Sequence, residues 1–377
     1  MMLRLRALEI RFTRNGKGMD TAMQHETLQQ ILELARWAPS GDNTQPWRFE
    51  IVDAQTIRIH GFDTRDHVLY DYDGRPSQIA HGALIETLRI AASGFGLRST
   101  WRIASQSDAR NPVYELLLQP EAGLVCDPLF ASITTRSVQR RPMRTTALAP
   151  AHRRALTQAA GDRFSVQWFE SAQERWQIGM LLWDSALIRL TCPEAYPVHK
   201  AIIEWGARYS HDRIPEQAVG VDRATARLMR FVMHSWPRVA FFNRFLMGTV
   251  VPRVQLDLLP ALMCAAHLLV RPNRPLLTLG DWVETGIAWQ RLWLTATQQG
   301  LQLQPEMTPV IFRWYARAGR SFSAQPLLFE KAGRLAEHFE RVAHAQPSQD
   351  FAVLARVGYG RPASSRSLRQ SLARLMR

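Results

Sequence analysis

Apolar and polar positions along the chain switch between the period of a helix and the period of a strand. The early part has apolar residues at helical spacing, then two short alternating runs, and then a segment that is small or apolar on most sides, as in a buried helix. These patterns predict the following elements in order: a helix over 27–38, strands over 47–52 and 56–60, a helix over 77–95 with Ser77 as its N-cap, and strands over 99–103 and 113–118.

The later part of the chain repeats this scheme imperfectly. Its patterns predict helices over 150–159, 172–190 and 281–300 and strands over 164–169 and 351–359. The long helix of each part has a face of small residues and ends at a glycine followed by leucine, Gly96 in one and Gly300 in the other. We therefore predict a tandem duplication, with residues 25–125 as the first half and residues 126–377 as the second.

Residues 192–259 have no counterpart in the first half. Within them, residues 228–252 combine Met, Trp and Phe with arginines. This combination is compatible with a helical lid over a ligand, with a helix at a membrane surface, and with an amphipathic helix pair that packs on the core. We favour the helix pair over the membrane role, and the helix pair is itself compatible with a lid.

A polar, turn-forming loop separates the first predicted helix from the first predicted strand. It runs Ala38-Pro39-Ser40-Gly41-Asp42-Asn43-Thr44-Gln45-Pro46 and leads into Trp47. Hydroxyl, amide and backbone N–H groups beside an aromatic side chain suit a flat heterocycle with polar edges better than a metal or a phosphate alone. The loop is predicted to bind a ligand, and a plain helix-to-strand connection is the alternative.

Composition limits the classes of partner. The 377 residues exceed the usual size of a single core, which fits two halves. All but three of the 47 basic residues are arginine, so the net charge of +14 is an arginine charge that favours anionic ligands. Nucleic acid is not expected as a partner, because no basic stripe is interleaved with stacking aromatics.

The predicted location rests on cysteine usage and on the absence of targeting signals. Cys126, Cys192 and Cys264 have the spacing of neither a disulfide framework nor a zinc site and fit a reducing cytosol. No uncharged apolar run is long enough to span a membrane, and residues 1–20 lack the apolar segment of a signal peptide. We expect a cytoplasmic protein with a basic N-terminal extension, residues 1–24, that is disordered or includes an over-extended start.

The loop resembles the signature of a known family. Ala38-Pro39-Ser40, Asn43 and Gln45-Pro46-Trp47 are similar to the signature of the nitroreductase-like flavoproteins, in which this loop lies against the isoalloxazine ring of FMN. The resemblance implies an α+β, nitroreductase-like fold with two tandem halves, each with a mostly antiparallel sheet and helices, that form an internal pseudo-dimer. It also implies that Ser40, Gly41, Asn43 and Gln45 hydrogen-bond the edge of the ring.

A second match opens the later half. Arg136-Ser137-Val138-Gln139-Arg140-Arg141-Pro142 resembles the Arg-x-Ser-x-Arg element with which the family grips the FMN phosphate and ribityl chain, although the second arginine is out of register. Guanidinium groups suit this role, because their fork matches two phosphate oxygens at once. The resemblance implies that Arg136, Ser137 and Arg140 bind the cofactor, and a solvated helix start before Pro142 is the alternative.

Two further matches lie near the end of the chain. The 281–300 helix resembles the family helix that lines the flavin, and the loop after it, with Glu306 and Met307, resembles the one whose backbone N–H faces flavin N5. The arginine-rich terminus resembles the basic end of the family fold, which implies that Arg366 and Arg369 reach the phosphate. A solvated arginine-rich terminus is the alternative.

The distribution of these matches predicts one complete site. In ordinary family members two subunits build each site together, so one pseudo-dimer would hold one site. The mirror site should be missing, because residues 192–259 would replace its ring loop and the first half has only residues 11–17 where the arginine element would be.

The resemblance implies an FMN-dependent oxidoreductase that passes electrons from NAD(P)H to a nitroaromatic, quinone-like or other conjugated small-molecule acceptor. No metal and no catalytic side chain are expected. The alternatives are a flavin-sequestering or storage protein and an inactive homologue whose lid blocks NAD(P)H. Assembly beyond the internal pseudo-dimer stays open.

Overall fold

The computed structural model describes residues 21–105 and 107–377. The predicted N-terminal extension lies outside the described residues except for residues 21–24, which begin the first helix. Residues 11–17, where the sequence places the first-half counterpart of the arginine element, also lie outside the described residues.

Helices and strands alternate along the described chain. The helices are α1 (Thr21–Ala35), α2 (Arg75–Ser93), α3 (Pro150–Ala159), α4 (Ala172–Thr191), α5 (Ala195–Ile202), α6 (Glu216–Val219), α7 (Arg223–Val232), α8 (Trp236–Phe245), α9 (Val250–Arg253), α10 (Leu259–Leu262), α11 (Leu279–Gln298), α12 (Thr308–Arg317), α13 (Pro326–Val342) and α14 (Leu372–Leu375). The strands are β1 (Trp47–Ile51), β2 (Thr56–Gly61), β3 (Leu97–Ile103), β4 (Val113–Pro120), β5 (Phe164–Phe169), β6 (Ile203–Glu204), β7 (Tyr209–Ser210), β8 (Ile214–Pro215), β9 (Ala266–Pro272), β10 (Gln302–Pro305), β11 (Val353–Gly358) and β12 (Arg366–Ser367).

Two four-stranded antiparallel sheets have matching strand orders. The first is β1-β2-β4-β3 and the second is β5-β9-β11-β10. In each sheet the strand that follows the long helix, β3 or β10, lies at one edge. The next strand in sequence, β4 or β11, pairs with that edge strand. The predicted α+β fold with two tandem halves is confirmed.

The long helices α2 and α11 cross at a reciprocal pair of glycines. A Cβ atom at Gly82 would overlap the carbonyl oxygen of Val283 and lie 2.9 Å from the Cα of Gly286. A Cβ atom at Gly286 would overlap the carbonyl oxygen of Ile79 and lie 2.8 Å from the Cα of Gly82. Each glycine therefore faces the carbonyl one turn before the other, as two like elements do across a two-fold axis.

The same symmetry appears in the polar contacts of the crossing. The Arg291 guanidinium pairs with the Glu86 carboxylate at 2.5 Å, and at the reciprocal positions Gln290 Nε2 donates to Thr87 Oγ1 at 2.9 Å. One contact has become ionic and the other has stayed neutral. The internal pseudo-dimer thus has a conserved geometry with diverged side chains.

The start of α2 differs from its prediction. Ser77 is not the N-cap, because the helix begins at Arg75 after Gly74, whose φ is +74°. The Asp71 carboxylate instead accepts hydrogen bonds from the Ser77 N–H at 3.1 Å and the Ser77 hydroxyl at 2.7 Å. An acidic side chain just upstream therefore serves the free N–H groups of the first turn.

The inserted segment enters the second half at an unexpected place. A short turn joins β1 to β2, whereas α4 and residues 192–259 join the corresponding strands β5 and β9. The loop before β5, which corresponds to the predicted ring loop before β1, is the turn of residues 160–163. The insertion therefore replaces a hairpin turn, and the second half lacks a ring loop because its connection there is short.

The C-terminal tail returns to the first half. Met376 forms a bridge with Phe49 of β1, and the Arg377 N–H donates to the Phe49 carbonyl at 2.8 Å. The tail thus extends the edge of the first sheet.

Each sheet has its own hydrophobic core, and α11 packs into both. Trp289 and Trp293 of α11 belong to the core of the second sheet, whereas Val283 and Leu294 belong to that of the first. The shared helix fixes the two halves relative to each other.

Within residues 21–105 and 107–377, no single helix is long and apolar enough to cross a membrane, although α8 and the segment Val250–Leu262, which lie at 86° to each other, satisfy the same criterion as a bent pair.

Candidate functional site

A cavity of about 400 Å³ lies where the two halves, the inserted segment and the tail meet. This volume falls within the ~300–1,000 Å³ typical of small-molecule sites. Eight of the residues that the sequence predicts to bind a cofactor line it: Ser40, Gly41, Asn43, Arg136, Arg140, Glu306, Met307 and Arg369. The predicted ring loop and three of the four predicted arginines therefore face the same cavity.

Three predicted residues are not part of the cavity wall. These are Gln45, Ser137 and Arg366. The buried Gln45 side chain donates from Nε2 to the carbonyls of Asn43 and His211 at 3.0 and 2.9 Å and accepts from the Gln370 N–H at 2.9 Å. One N–H group of this amide bonds within the loop and the other reaches the inserted segment, while the amide oxygen holds the tail, so neither N–H is left for a ligand.

The loop between α1 and β1 has a strained backbone. Asp42, Asn43 and Gln45 have φ angles of 49°, 64° and 50°, in the left-handed region that few residues other than glycine adopt. The Gln45 N–H donates to the Ser40 hydroxyl at 2.9 Å, which closes the bend. Such conformations cost about 1–3 kcal/mol each and persist where the surroundings enforce them, often at binding sites.

Several buried polar atoms of the cavity wall have no hydrogen-bond partner among the described residues. They are Asn43 Oδ1, Arg136 Nε, Gln304 Oε1 and Arg356 Nε. An unpaired buried polar atom costs about 1–3 kcal/mol, so such atoms are uncommon in folded proteins. The set contains donors and acceptors, which indicates a ligand that offers both.

Three arginines gather at the end of the cavity near the loop. The Arg136 guanidinium donates to the Trp37 carbonyl at 3.0 Å, and Arg369 Nε donates to the Ala38 carbonyl at 2.9 Å. Arg366 lies over the Trp37 ring at 4.8 Å. We call these three residues the arginine cluster.

The arginine cluster has no carboxylate partner in the part of the chain that the structure describes. Burial lowers the pKa of Arg136, and the nearby Arg369 and Arg366 lower it further. Burial and the neighbouring guanidiniums Arg366 and Arg36 lower the pKa of Arg369 to about 9. Uncompensated buried cations favour an anionic ligand, and a phosphate fits the guanidinium fork.

The predicted N5-facing residues sit beside a buried ionic network. The Glu306 carboxylate accepts from His267 Nδ1 and from the Arg356 guanidinium, each at 2.8 Å. The Glu306 N–H donates to the Leu354 carbonyl at 2.7 Å, so this N–H is not free for a ligand. Met307 directly precedes α12, where first-turn N–H groups lack partners within the helix.

A second end of the cavity, which Asp42 of the loop also lines, has balanced charges. Arg189 pairs with Asp257 at 3.0 Å, and Arg140 lies near the carboxylate of Asp42. Burial raises the pKa of Asp257 to about 6 against the opposing effect of the neighbouring arginines. This end therefore does not attract a further anion as strongly as the arginine cluster does.

A tyrosine–histidine pair also lines this end. The Tyr70 hydroxyl and His199 Nε2 are 2.7 Å apart. Burial, followed by the effect of Arg189, lowers the pKa of His199 to about 3, so the ring is neutral near pH 7.

Sequence reasoning missed several residues of the wall. They are Asp42, Tyr70, Arg189, His199, Asp257, Gln304 and Arg356. Asp42 had a signal, because it belongs to the predicted loop. Arg356 also had a signal, because Arg356-Val357-Gly358-Tyr359-Gly360 resembles the closing strand of the family fold. The remaining five come from elements far apart in sequence, and nothing in their local pattern distinguishes them from surface or core residues.

Comparisons with known proteins agree with the predicted resemblance. Residues 19–72, which include the loop, match the model of the Nitroreductase family. Over 79 residues, 20% of this chain and 23% of the relative, the sequence is 34% identical to "Putative NAD(P)H nitroreductase acg" of Mycobacterium tuberculosis. The nitroreductase-like resemblance of the loop segment is thus confirmed.

A longer match covers most of the chain. An uncharacterized protein of Mycobacterium tuberculosis, MT1398, is 25% identical over 354 residues, which are 91% of this chain and 47% of that protein. The chain therefore spans about half the length of this relative.

Solved nitroreductases are similar to parts of the chain. The FMN-dependent nitroreductase NfnB from Mycobacterium smegmatis in complex with NADPH is 15% identical, with a TM-score of 0.35, over 65% of this chain and 95% of that one. A nitroreductase with bound FMN from Desulfitobacterium hafniense is 12% identical, with a TM-score of 0.31, over 63% and 92%.

Proposed function

We propose that the cavity binds FMN and that the protein is an FMN-dependent, nitroreductase-like oxidoreductase. The observation that carries the proposal is that the strained loop faces the same cavity as Arg136 and Arg369 of the arginine cluster, which has no acidic partner among the described residues. The family match of residues 19–72 supports the same conclusion.

The residues of the cavity fit the chemistry of FMN. Arg136 and Arg369 would hold the phosphate, because a dianion would compensate buried guanidiniums that now repel each other. Asn43 Oδ1 would accept a hydrogen bond from an N–H at the edge of the ring, and Arg136 Nε would find an acceptor. Each of these contacts would satisfy an atom that lacks a partner within the described chain.

When bound, FMN would supply the redox chemistry that moves electrons from NAD(P)H to a nitroaromatic, quinone-like or other conjugated acceptor. The chain would position the cofactor with the loop and the arginine cluster. The inserted segment, through His199, Ile214 and Leu256, would cover the cavity and limit the access of water. No side chain is assigned a proton-transfer role.

The test is a spectrum of the full-length protein as purified and after incubation with FMN. We expect flavin absorbance that survives gel filtration and is bleached by anaerobic NADH or NADPH in stopped flow. A protein that stays colourless after incubation with FMN would contradict the proposal.

The covering segment also favours a second candidate, a flavin-sequestering protein or an inactive homologue that excludes nicotinamide. Six residues of the insertion line the cavity: His199, Ile202, Ile214, Val219, Leu256 and Asp257. A yellow protein that remains oxidised under excess anaerobic NADH and NADPH, yet is bleached by dithionite, would favour this candidate over the oxidoreductase.

A further inference from the structure

Helix α8, which belongs to the inserted segment, has no fully buried residue. More than half of its ten residues are nevertheless apolar. A helix on a globular protein normally packs an apolar stripe against the core. One side of α8 is partly buried, since the Trp236 ring contacts Tyr196 and Asn243 donates to the Leu190 carbonyl, whereas Phe241 and Phe245 on the other side are exposed.

The exposed apolar side chains of α7, α8 and the turn after them form one surface. Phe231, Phe241, Phe245, Leu246 and Met247 are 56%, 53%, 62%, 56% and 69% exposed. A ring contact joins the two helices, with centroids 6.5 Å apart for Phe231 of α7 and Phe242 of α8, and a second contact, at 5.1 Å, joins Phe241 and Phe245 within α8. We call these six residues the aromatic patch. Single exposed apolar residues are ordinary, but a connected patch marks an interaction surface.

The charged side chains of α7 and α8 are all positive, although the exposed Asp222 caps the start of α7. Five arginines of α7 and α8 are exposed: Arg223, Arg227, Arg230, Arg238 and Arg244. The two helices contain no acidic residue, and none of the five arginines forms an ion pair with another described residue. Two of them, Arg238 and Arg244, lie over the rings of Phe231 and Phe245 at 4.7 and 5.3 Å, so charge and apolar surface interleave.

We propose that the aromatic patch and its arginines dock the protein on an anionic lipid surface. Aromatic side chains would enter the boundary between headgroups and acyl chains, and the guanidiniums would contact lipid phosphates. Neither the cavity nor any bound cofactor is needed for this contact. The helices lie along the surface of the protein, so the contact is peripheral.

Charge favours lipid over a second copy of the chain. Two aromatic patches meeting face to face would bring ten unpaired arginines together, in a chain whose net charge is already +14. Such juxtaposed like charges oppose association, whereas an anionic leaflet attracts each of them.

The experiment is sedimentation of the full-length protein with sucrose-loaded vesicles. We expect binding to vesicles of phosphatidylcholine with 30% phosphatidylglycerol, little binding to pure phosphatidylcholine, and weaker binding as salt increases. Each arginine near the surface contributes about fivefold to partitioning, so the double variant Arg238→Gln/Arg244→Gln should bind at least tenfold more weakly.

A second variant tests the apolar contribution. Phe241→Ser/Phe245→Ser should also lose at least tenfold of its partitioning. The matched control is Leu277→Ser/Leu327→Ser, which removes two side chains that are 83% and 55% exposed elsewhere and should bind vesicles as the unchanged protein does. Circular dichroism melts of all variants exclude unfolding as the cause.

Failure to bind anionic vesicles, equal binding to both vesicle types, or equal loss in the control variant would overturn the proposal. A dimer would also overturn it, if the protein does not bind vesicles and light scattering shows that Phe241→Ser/Phe245→Ser abolishes the dimer. The aromatic patch would then be an interface between copies of the chain.

Discussion

The two halves are alike where their long helices cross and unlike in the loops that precede their first strands. At the crossing, Gly82 and Gly286 make the same contact in both directions. Before β1 stands a loop with three non-glycine residues at positive φ, whereas residues 160–163 before β5 form a short turn with Gly161 at φ +70°. The first half thus has the strained loop proposed to bind the ligand, and the second half has only a short turn at the corresponding place.

The parts of this duplicated fold differ in how far they can diverge. A reciprocal contact includes both copies at once, so a change in either helix disturbs the single interface. A loop that serves one cavity is needed once, and its counterpart is free to shorten. The polar contacts at the crossing are intermediate between the matching glycines and the differing loops. The same positions are in contact in both directions, but the contact is ionic at Glu86–Arg291 and neutral at Thr87–Gln290.

The largest expected effect comes from the crossing glycines. Gly82→Ala and Gly286→Ala each place a methyl group on a backbone carbonyl that cannot move aside, so each should lower the free energy of unfolding by about 3 kcal/mol or more. Urea denaturation measures the effect.

Gly333→Ala is the matched control for this experiment. Gly333 lies in α13 with open space around its Cα, and alanine there should stabilise by about 0.5–1 kcal/mol. If Gly82→Ala and Gly286→Ala differed strongly from each other, the two-fold contact would not be energetically reciprocal.

The next largest effect concerns the cavity, to which only the first half contributes a strained loop. Arg136→Ala should weaken FMN binding by about 1.5–3 kcal/mol, because it removes a charge-assisted contact from a buried cluster. Fluorescence titration with FMN measures it. Arg98→Ala is the control. Arg98 lies on the edge strand β3 of the first sheet, is not part of the cavity wall, and pairs with Glu121. Equal affinities of the two variants would remove Arg136 from the site.

The buried histidines of the two halves should respond to pH in opposite ways. His81 of the first half bonds to the Pro46 carbonyl, and burial lowers its pKa to about 4. For His267 of the second half, burial alone would lower the pKa, but Cys264 and Glu306 outweigh it and raise the pKa to about 10.

The sign of each effect follows from proton uptake. Between pH about 6.5 and 4 the unfolded chain binds a proton at His81 that the folded chain does not, so stability falls as pH falls. The stability from protonated His267 is complete below pH about 6.5 and is lost as pH rises toward 10. Each slope is at most about 1.4 kcal/mol per pH unit.

Histidine NMR resonances of labelled protein, with His81→Gln and His267→Gln for assignment, measure these states directly. We expect a neutral ring for His81 at pH 5.5 and a charged ring for His267 at pH 8. The same charge state for both at pH 7 would contradict the contrast between the halves.

The smallest effect tests the neutral contact of the crossing. Thr87→Val removes the acceptor of Gln290 Nε2 and leaves that N–H buried, which should cost about 1 kcal/mol. Thr87→Ser, which keeps the hydroxyl, is the control in the same urea assay. A loss for serine without a loss for valine would mean that the methyl group and not the hydrogen bond matters.

Much of the fold was predictable from local patterns. The strand over residues 164–169 and the helix over residues 150–159 match the structure, because alternation, periodicity and proline positions act over a few residues. The loop motif and the arginines of the arginine cluster were also identified from sequence, and the structure brings Asn43, Arg136 and Arg369 to one cavity. Their role in holding FMN stays a prediction.

Local patterns were sufficient to predict the α+β elements, the two similar halves and the polar character of the loop, because each pattern extends over a few neighbouring residues. Three features emerged from the structure alone: the insertion replaces a hairpin turn, the tail joins the first sheet, and the Gln45 amide binds backbone carbonyls. Those outcomes depend on which distant segments pack together, and long-range pairing leaves no mark in local periodicity.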